Sequence, residues 1–248
     1  MPNFEDLSIK LFADCADLET IARLSQHPFI QGITTNPTLM RRANVADYQA
    51  FAADVLKTVS GRPVSFEVIS DDFAEMEQQG LEMATWGSNV YVKIPVTNTH
   101  GEFSGPLIRQ LSEAGVQVNV TALMTTDQVK KVLAYLSKET RSFVSVFAGR
   151  VADTGRDPAP VMTRAVELLR SHSLAELIWS SPREVLNIFQ ADLIGCHIIT
   201  ATSDILDKLS NIDKDLSVFS LETVQMFYED ALQAGYTIKL SNDLIQER

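Results

Sequence analysis

The sequence is poor in residues that cross-link chains or hold metals, with two cysteines and four histidines among 248 residues. Cys15 and Cys196 lie within or at the end of apolar stretches, and no Cys/His spacing matches a zinc site. That excludes a disulfide scaffold and a zinc module, and both thiols are expected to be reduced and structural in a cytoplasmic protein without a metal. No run of about 18 apolar residues occurs, and the opening MPNFEDLSIK carries acidic groups without a signal-like apolar core. Neither a membrane span nor export is expected. Basic charge is also short: Lys plus Arg number 21 against 32 Asp plus Glu, a formal charge of −11. Such a surface repels nucleic acid and anionic lipid, so a phosphate ligand would need a local basic pocket. Low-complexity segments, linkers and charge blocks are missing as well.

What is present is an ordinary globular composition, 45% hydrophobic and 21% charged, in a chain long enough to bury a full core. Short apolar runs alternate with helical patterns throughout, which is the form of repeated β-α units. The runs are Leu11 to Cys15, Gly32 to Asn36, Val64 to Ile69, Val90 to Val96, Gln117 to Leu123, Phe143 to Gly149, Leu177 to Ser181 and Cys196 to Thr200. Between two of them, Val129, Val132, Leu133 and Leu136 in Thr126 to Leu136 fall on one helical face. Eight strands with intervening helices predict an α/β protein, a (β/α)8 TIM barrel forming one domain over residues 1–248. An open doubly wound sheet is the alternative, but no Gly-rich fingerprint follows the first strand. After the eighth strand, a further C-terminal helix is expected to start at Ser220-Leu221-Glu222-Thr223 and run to about Ala234. Its Leu221, Val224, Tyr228, Ala231 and Leu232 share a face that should pack across the barrel end or onto another subunit, and a homo-oligomer is expected.

Alternate strand residues face the barrel interior, and those at the carboxyl end reach its mouth. In Val90 to Val96 the valines and Ile94 form an outward row, leaving Tyr91 and Lys93 inside. The same sorting turns Asp14, Thr34, Asn36, Ser65, Glu67, Asn119, Thr121, Ser145 and Phe147 inward. So many inward polar groups are costly unless they serve a site. Lys93 is the only cation of the set. It is either one half of an ion pair with Asp14 or Glu67, or a nucleophile that loses its proton in a partly dry pocket and attacks a carbonyl. The polar mouth and the neighbouring acids favour the nucleophile, with Asp14 and Glu67 as proton carriers; otherwise they balance its charge. Ser181-Pro182-Arg183-Glu184 reads as a helix start, Ser181 being the N-cap and Glu184 completing a capping box. Arg183 and Arg150 are then candidate anion ligands beside a helix N-terminus. Arg156 lies among aspartates that could occupy it instead.

The segments Gly32-Ile33-Thr34-Thr35-Asn36-Pro37, Ser65-Phe66-Glu67-Val68, Val92-Lys93-Ile94-Pro95-Val96-Thr97, Asn119-Val120-Thr121, Ser145-Val146-Phe147-Ala148-Gly149-Arg150 and Ser181-Pro182-Arg183 occur in an order that resembles the transaldolase family. The likeness extends to its short members and the related fructose-6-phosphate aldolases, and covers roughly residues 11 to 235. It implies Schiff-base transfer of a dihydroxyacetone unit from a ketose phosphate to an aldehyde, with sugar phosphates as partners and no cofactor. By that resemblance Lys93 forms the iminium, and Asp14 takes the proton of the donor's C4 hydroxyl. Glu67, through a water held by Thr121, serves carbinolamine formation and dehydration. Thr34, Asn36, Asn119 and Ser145 would hold the dihydroxyacetone hydroxyls, and Arg150, Ser181 and Arg183 the phosphate. The aldolase branch typically carries Gln and Tyr where this chain has Glu67 and Phe147, which favours transfer over release of free dihydroxyacetone. A silent sugar-phosphate-binding barrel is the reading from outside enzymology.

Overall fold

The computed structural model describes residues 7–238. In chain order its elements are β1 (Lys10–Asp14), α1 (Leu18–Ser25), β2 (Ile30–Thr34), α2 (Pro37–Arg42), α3 (Tyr48–Thr58), β3 (Val64–Glu67), α4 (Phe73–Ala84), β4 (Val90–Pro95), α5 (Gly105–Glu113) and β5 (Val118–Leu123). There follow α6 (Thr126–Leu133), β6 (Ser142–Val146), α7 (Ala148–Ala152), α8 (Ala159–Leu169), β7 (Ala175–Ser180), α9 (Leu186–Leu193), β8 (Ile198–Ala201), α10 (Ser203–Leu206) and α11 (Leu216–Gln233). All neighbouring strands are parallel, and β1 pairs with both β2 and β8, so the sheet closes into an eight-stranded barrel. This is the (β/α)8 barrel that the alternating pattern predicts. The described residues divide into two compact units, one up to Leu209 with the barrel and one from Ser210 with α11. Residues 1–6 and 239–248 of the expected single domain lie outside the described residues.

Alternation along the strands sorts the core into two populations. Outward residues such as Val90, Val92, Ile94, Val118, Val120, Val144 and Val146 pack under the helices in one large apolar cluster. Inward Phe12, Tyr91, Phe143, Ile178 and Ile198 form a separate cluster inside the barrel. The Tyr91 and Phe143 rings stack at 3.8 Å, and Phe12 meets Phe143 edge-on at 5.8 Å. Phe12 fits because β2 carries Gly32 opposite it, where a Cβ would lie 2.5 Å from the ring. This aromatic layer fills the barrel and leaves the polar inward residues above it, toward the carboxyl ends of the strands.

Several predicted boundaries move. Asn36 does not end β2; it caps α2, its Oδ1 accepting the Leu39 amide at 3.0 Å. The sixth strand ends at Val146, and Ala148 already belongs to α7. α6 opens with a capping box of Thr125 and Gln128 and stops at Leu133, although Leu136 remains buried in the turn beyond. No helix begins at Pro182. Ser181 adopts a left-handed φ of 60°, and α9 starts only at Leu186. There, Asn187 Oδ1 reaches back to accept the Arg183 and Glu184 amides, so the expected capping box is replaced by a longer turn. The last helix begins four residues before the predicted Ser220, because Asp215 caps it by accepting from Ser217 and Val218.

Candidate active site

Parallel register builds the centre of the site. Glu67 on β3 is the Cα partner of Lys93 on β4, which in turn pairs with Asn119 on β5. Lys93 is 6% exposed. Its Nζ lies 3.2 Å from Glu67 Oε2 and donates to the Thr35 carbonyl at 2.8 Å. One acid and one carbonyl thus aim the amine along the barrel mouth, and the acid is close enough to take its proton.

Asp14, at the end of β1, accepts from Thr34 Oγ1 at 2.8 Å and from Asn36 Nδ2 at 3.3 Å. Thr34 also meets the Thr200 hydroxyl at 2.6 Å. Burial pushes the Asp14 carboxyl above its ordinary value; the Lys93 charge and the bonds from Thr34 and Asn36 pull the other way without cancelling it. On the far side of the lysine, Ser145 Oγ donates to Asn119 Oδ1 at 2.7 Å, and Asn119 Nδ2 donates to Ser65 Oγ at 2.9 Å. Thr121 Oγ1 is buried and has no partner among the described residues. An unpaired buried hydroxyl is costly, and it fits a place where a small polar ligand completes the bonding.

These groups line one cavity of about 540 Å³ at the carboxyl end of the barrel. Lys93, Asp14, Glu67, Thr121, Thr34, Asn36, Asn119, Ser145, Phe147, Arg150 and Ser181 all share its wall. Arg183 does not. Its Nε and Nη2 engage the two oxygens of Asp153, just past α7, and its Nε stands beside Gly149. Gly149 is required there: a Cβ would fall 1.4 Å from the Ser181 carbonyl oxygen, so the loops after β6 and β7 touch backbone to backbone. Arg150 carries no ion pair among the described residues and lies over the Phe147 ring at 5.5 Å.

Sequence reasoning missed several contributors, four of which bear on the site's charge, shape or support. Thr200 sits on the inward row of β8, and alternation would have found it. Arg42 comes to the cavity wall from the last turn of α2, and Met124 from the loop after β5. Tyr48, at the start of α3, donates its hydroxyl to the Glu67 carbonyl and accepts the Glu67 amide, both at 2.8 Å, so it grips the acid's backbone from outside the barrel. No sequence signal marks that contact. Among the described residues no cluster of three or more His, Cys, Asp or Glu could hold a metal ion, and no helix is long and apolar enough to cross a membrane. Cys15 and Cys196 are buried free thiols, and burial pushes Cys196 up to about 12.

A buried lysine paired with a carboxylate in a polar cavity at the carboxyl end of a closed parallel barrel defines the class, a barrel enzyme with its active site at the mouth. Residues 11–245 match the family described as Transaldolase/Fructose-6-phosphate aldolase, and the chain belongs to that family. It is 30% identical over 234 residues to a "Probable transaldolase" of Nitrosopumilus maritimus, covering 94% of this chain and all of that protein. It is 33% identical over 204 residues to a protein of the same name from Geobacillus kaustophilus, covering 82% and 91%. In fold it resembles a dihydrodipicolinate synthase of Rhodopseudomonas palustris, with TM-score 0.56, 14% identity and coverage of 91% and 80%.

Proposed function

We propose that the enzyme transfers a dihydroxyacetone unit from a ketose phosphate to an aldehyde through an imine on Lys93. The observation that carries this reading is the buried Lys93–Glu67 pair opening into the same cavity as Asp14. Lys93, once deprotonated, adds to the donor's C2 carbonyl. Glu67, with a water held at the Thr121 hydroxyl, protonates the carbinolamine so that water departs and an iminium remains. Asp14 then removes the C4 hydroxyl proton; the C3–C4 bond breaks, its electron pair moves toward the iminium as an enamine, and an aldehyde leaves. An acceptor aldehyde reverses these steps: the enamine carbon bonds to its carbonyl carbon and Asp14 returns the proton to its oxygen. Water finally frees the new ketose. A carboxyl raised by burial suits this two-way proton traffic.

Thr34 and Asn36 hold Asp14 while also facing substrate, and Asn119 and Ser145 bind the dihydroxyacetone hydroxyls. Arg150 and Ser181 take the phosphate from the cavity wall; Arg183, paired with Asp153 outside that wall, joins them through Nη1, which has no partner among the described residues. Phe147 offers no proton to the enamine, which favours transfer over release. Incubation with fructose 6-phosphate and borohydride should add the donor fragment's mass to the peptide containing Lys93. Lys93→Arg should abolish both labelling and turnover, since arginine supplies no neutral amine. Labelling at another lysine, or none with a donor that is turned over, refutes the mechanism.

A further inference from the structure

Beside the active site lies a second cavity of about 460 Å³, and the two share Met124 and Arg150 in their walls. The shared wall is placed by an irregularity in β5. Its register with β6 shifts between Val120 and Leu123, and Ala122 is held at a left-handed φ of 64°. A non-glycine residue in that region is costly and persists where the surroundings demand it. The kink precedes Met124, a flexible thioether side chain that remains exposed at the boundary between the cavities. The second cavity is floored by apolar Val151 and Val161, while Arg156 stands in its wall. Arg156 donates to the neutral Thr154 hydroxyl at 2.8 Å and has no ion pair among the described residues; of the two aspartates near it in sequence, Asp153 pairs with Arg183 and Asp157 accepts the Ala159 amide. Asp127 is the one carboxylate in the lining, against the guanidinium groups of Arg150 and Arg156.

We propose that this groove is an extension of the acceptor site, selecting aldehydes whose distal part is an apolar chain ending in an anion, with Arg156 as the residue that reads that end. The inference rests on the transaldolase reading. In the addition step the enamine carbon bonds to the aldehyde carbon, the carbonyl pair moves to oxygen, and that oxygen takes the Asp14 proton. The remainder of the acceptor then projects from the reacting carbon past Arg150. A three-carbon acceptor ends within the first cavity. A longer one has to cross Met124, and the surface it meets there is apolar before it is cationic.

The test uses the full-length enzyme with fructose 6-phosphate as donor and three acceptors: glyceraldehyde, hexanal and 6-oxohexanoate. The wild type should use 6-oxohexanoate with a kcat/KM about tenfold above that for hexanal, from one charge-assisted contact. Arg156→Gln should raise KM for 6-oxohexanoate by about the same factor and leave hexanal and glyceraldehyde within about twofold; Arg156→Lys should restore much of the loss. Val161→Trp, which fills the groove, should raise KM for both six-carbon acceptors and spare glyceraldehyde. Equal responses of all three acceptors, or no preference for 6-oxohexanoate in the wild type, would overturn the proposal. Borohydride trapping of the donor on Lys93, run beside these assays, separates the two ideas: trapping with the wrong acceptor pattern rejects the groove alone, whereas absent trapping rejects the mechanism beneath it.

Discussion

At Asp14 the burial that, in the proposed mechanism, prepares a proton carrier also costs the fold stability. Its folded value lies above the ordinary value of 3.8. Between the two values the folded chain holds a proton that the unfolded chain has lost, so stability falls as pH rises through that window. The Asp14→Asn variant lacks this loss. It should therefore melt above the wild type at neutral pH, by about 2 to 4 °C for each kcal/mol recovered, and the advantage should vanish below about pH 4, where both carboxyl forms are protonated. Its turnover should drop by about 10² to 10⁴, the range of general acid-base catalysis. A variant melting below the wild type at pH 8 would show that the bonds from Thr34 and Asn36 outweigh desolvation. Under the proposed mechanism Phe147 should bear on partition rather than on rate. Phe147→Tyr adds an O–H to the cavity wall, and donor cleavage without acceptor should rise relative to transfer; an unchanged ratio removes Phe147 from the selection. Both residues were legible in the sequence, since period two alone turned Asp14 and Phe147 inward, as it did Glu67 beside Lys93. Arg42 was not, because a helix of six residues gives no periodicity that would tell which of Arg41 and Arg42 reaches the barrel mouth.

Elements meet at Tyr48, where α3 reaches over the end of β3 and its hydroxyl closes two bonds with the Glu67 backbone. The ring is held by edge contacts to Phe66 at 6.2 Å and Trp86 at 6.0 Å, so the hydroxyl has little freedom to serve anything else. Tyr48→Phe keeps that packing and removes both bonds. The loss should be about 1 to 3 kcal/mol, given about 0.5 to 1.5 for each bond, and is readable as a lower urea midpoint. As a positioning residue, Tyr48 should also affect the rate of imine formation on Lys93 more than the KM for donor; a stability loss with unchanged trapping kinetics would leave it structural only. The strands were readable because a closed barrel imposes alternation on each one separately. The turn after β7 was not. Ser181-Pro182-Arg183-Glu184 has the local grammar of a helix start, yet the Ser181 carbonyl must pass against Gly149 and the strand exit is bent left-handed to do so. A contact between residues 32 positions apart outweighs the cap, and sequence windows do not contain it.

For the whole molecule, the question is how a chain of charge −11 remains able to attract an anion and which surfaces it leaves for other chains. Arg42 and Arg150 answer the first part. They rise from the units of β2 and β6, which stand opposite each other in the closed order of eight strands, so the mouth is locally cationic from two sides. The second part concerns α11. The sequence marked one apolar face; the structure shows a helix of 18 residues in which Leu216, Phe219, Met226 and Phe227 are exposed in addition to Leu221, Val224, Tyr228 and Leu232. Those residues are spread around the helix rather than along a stripe, and a helix apolar on most sides is ordinarily a buried one. Covering them contributes about 25 cal/mol for each Å² of apolar surface withdrawn from water, which favours association. We expect a homo-oligomer in which α11 is covered by protein. Light scattering at micromolar concentration should give a mass of several subunits, and Phe227→Glu combined with Leu221→Glu should lower it, since two buried charges without partners oppose assembly. A monomeric wild type at that concentration would contradict this, and the exposed leucines and aromatics of α11 would then have to be covered within a single chain.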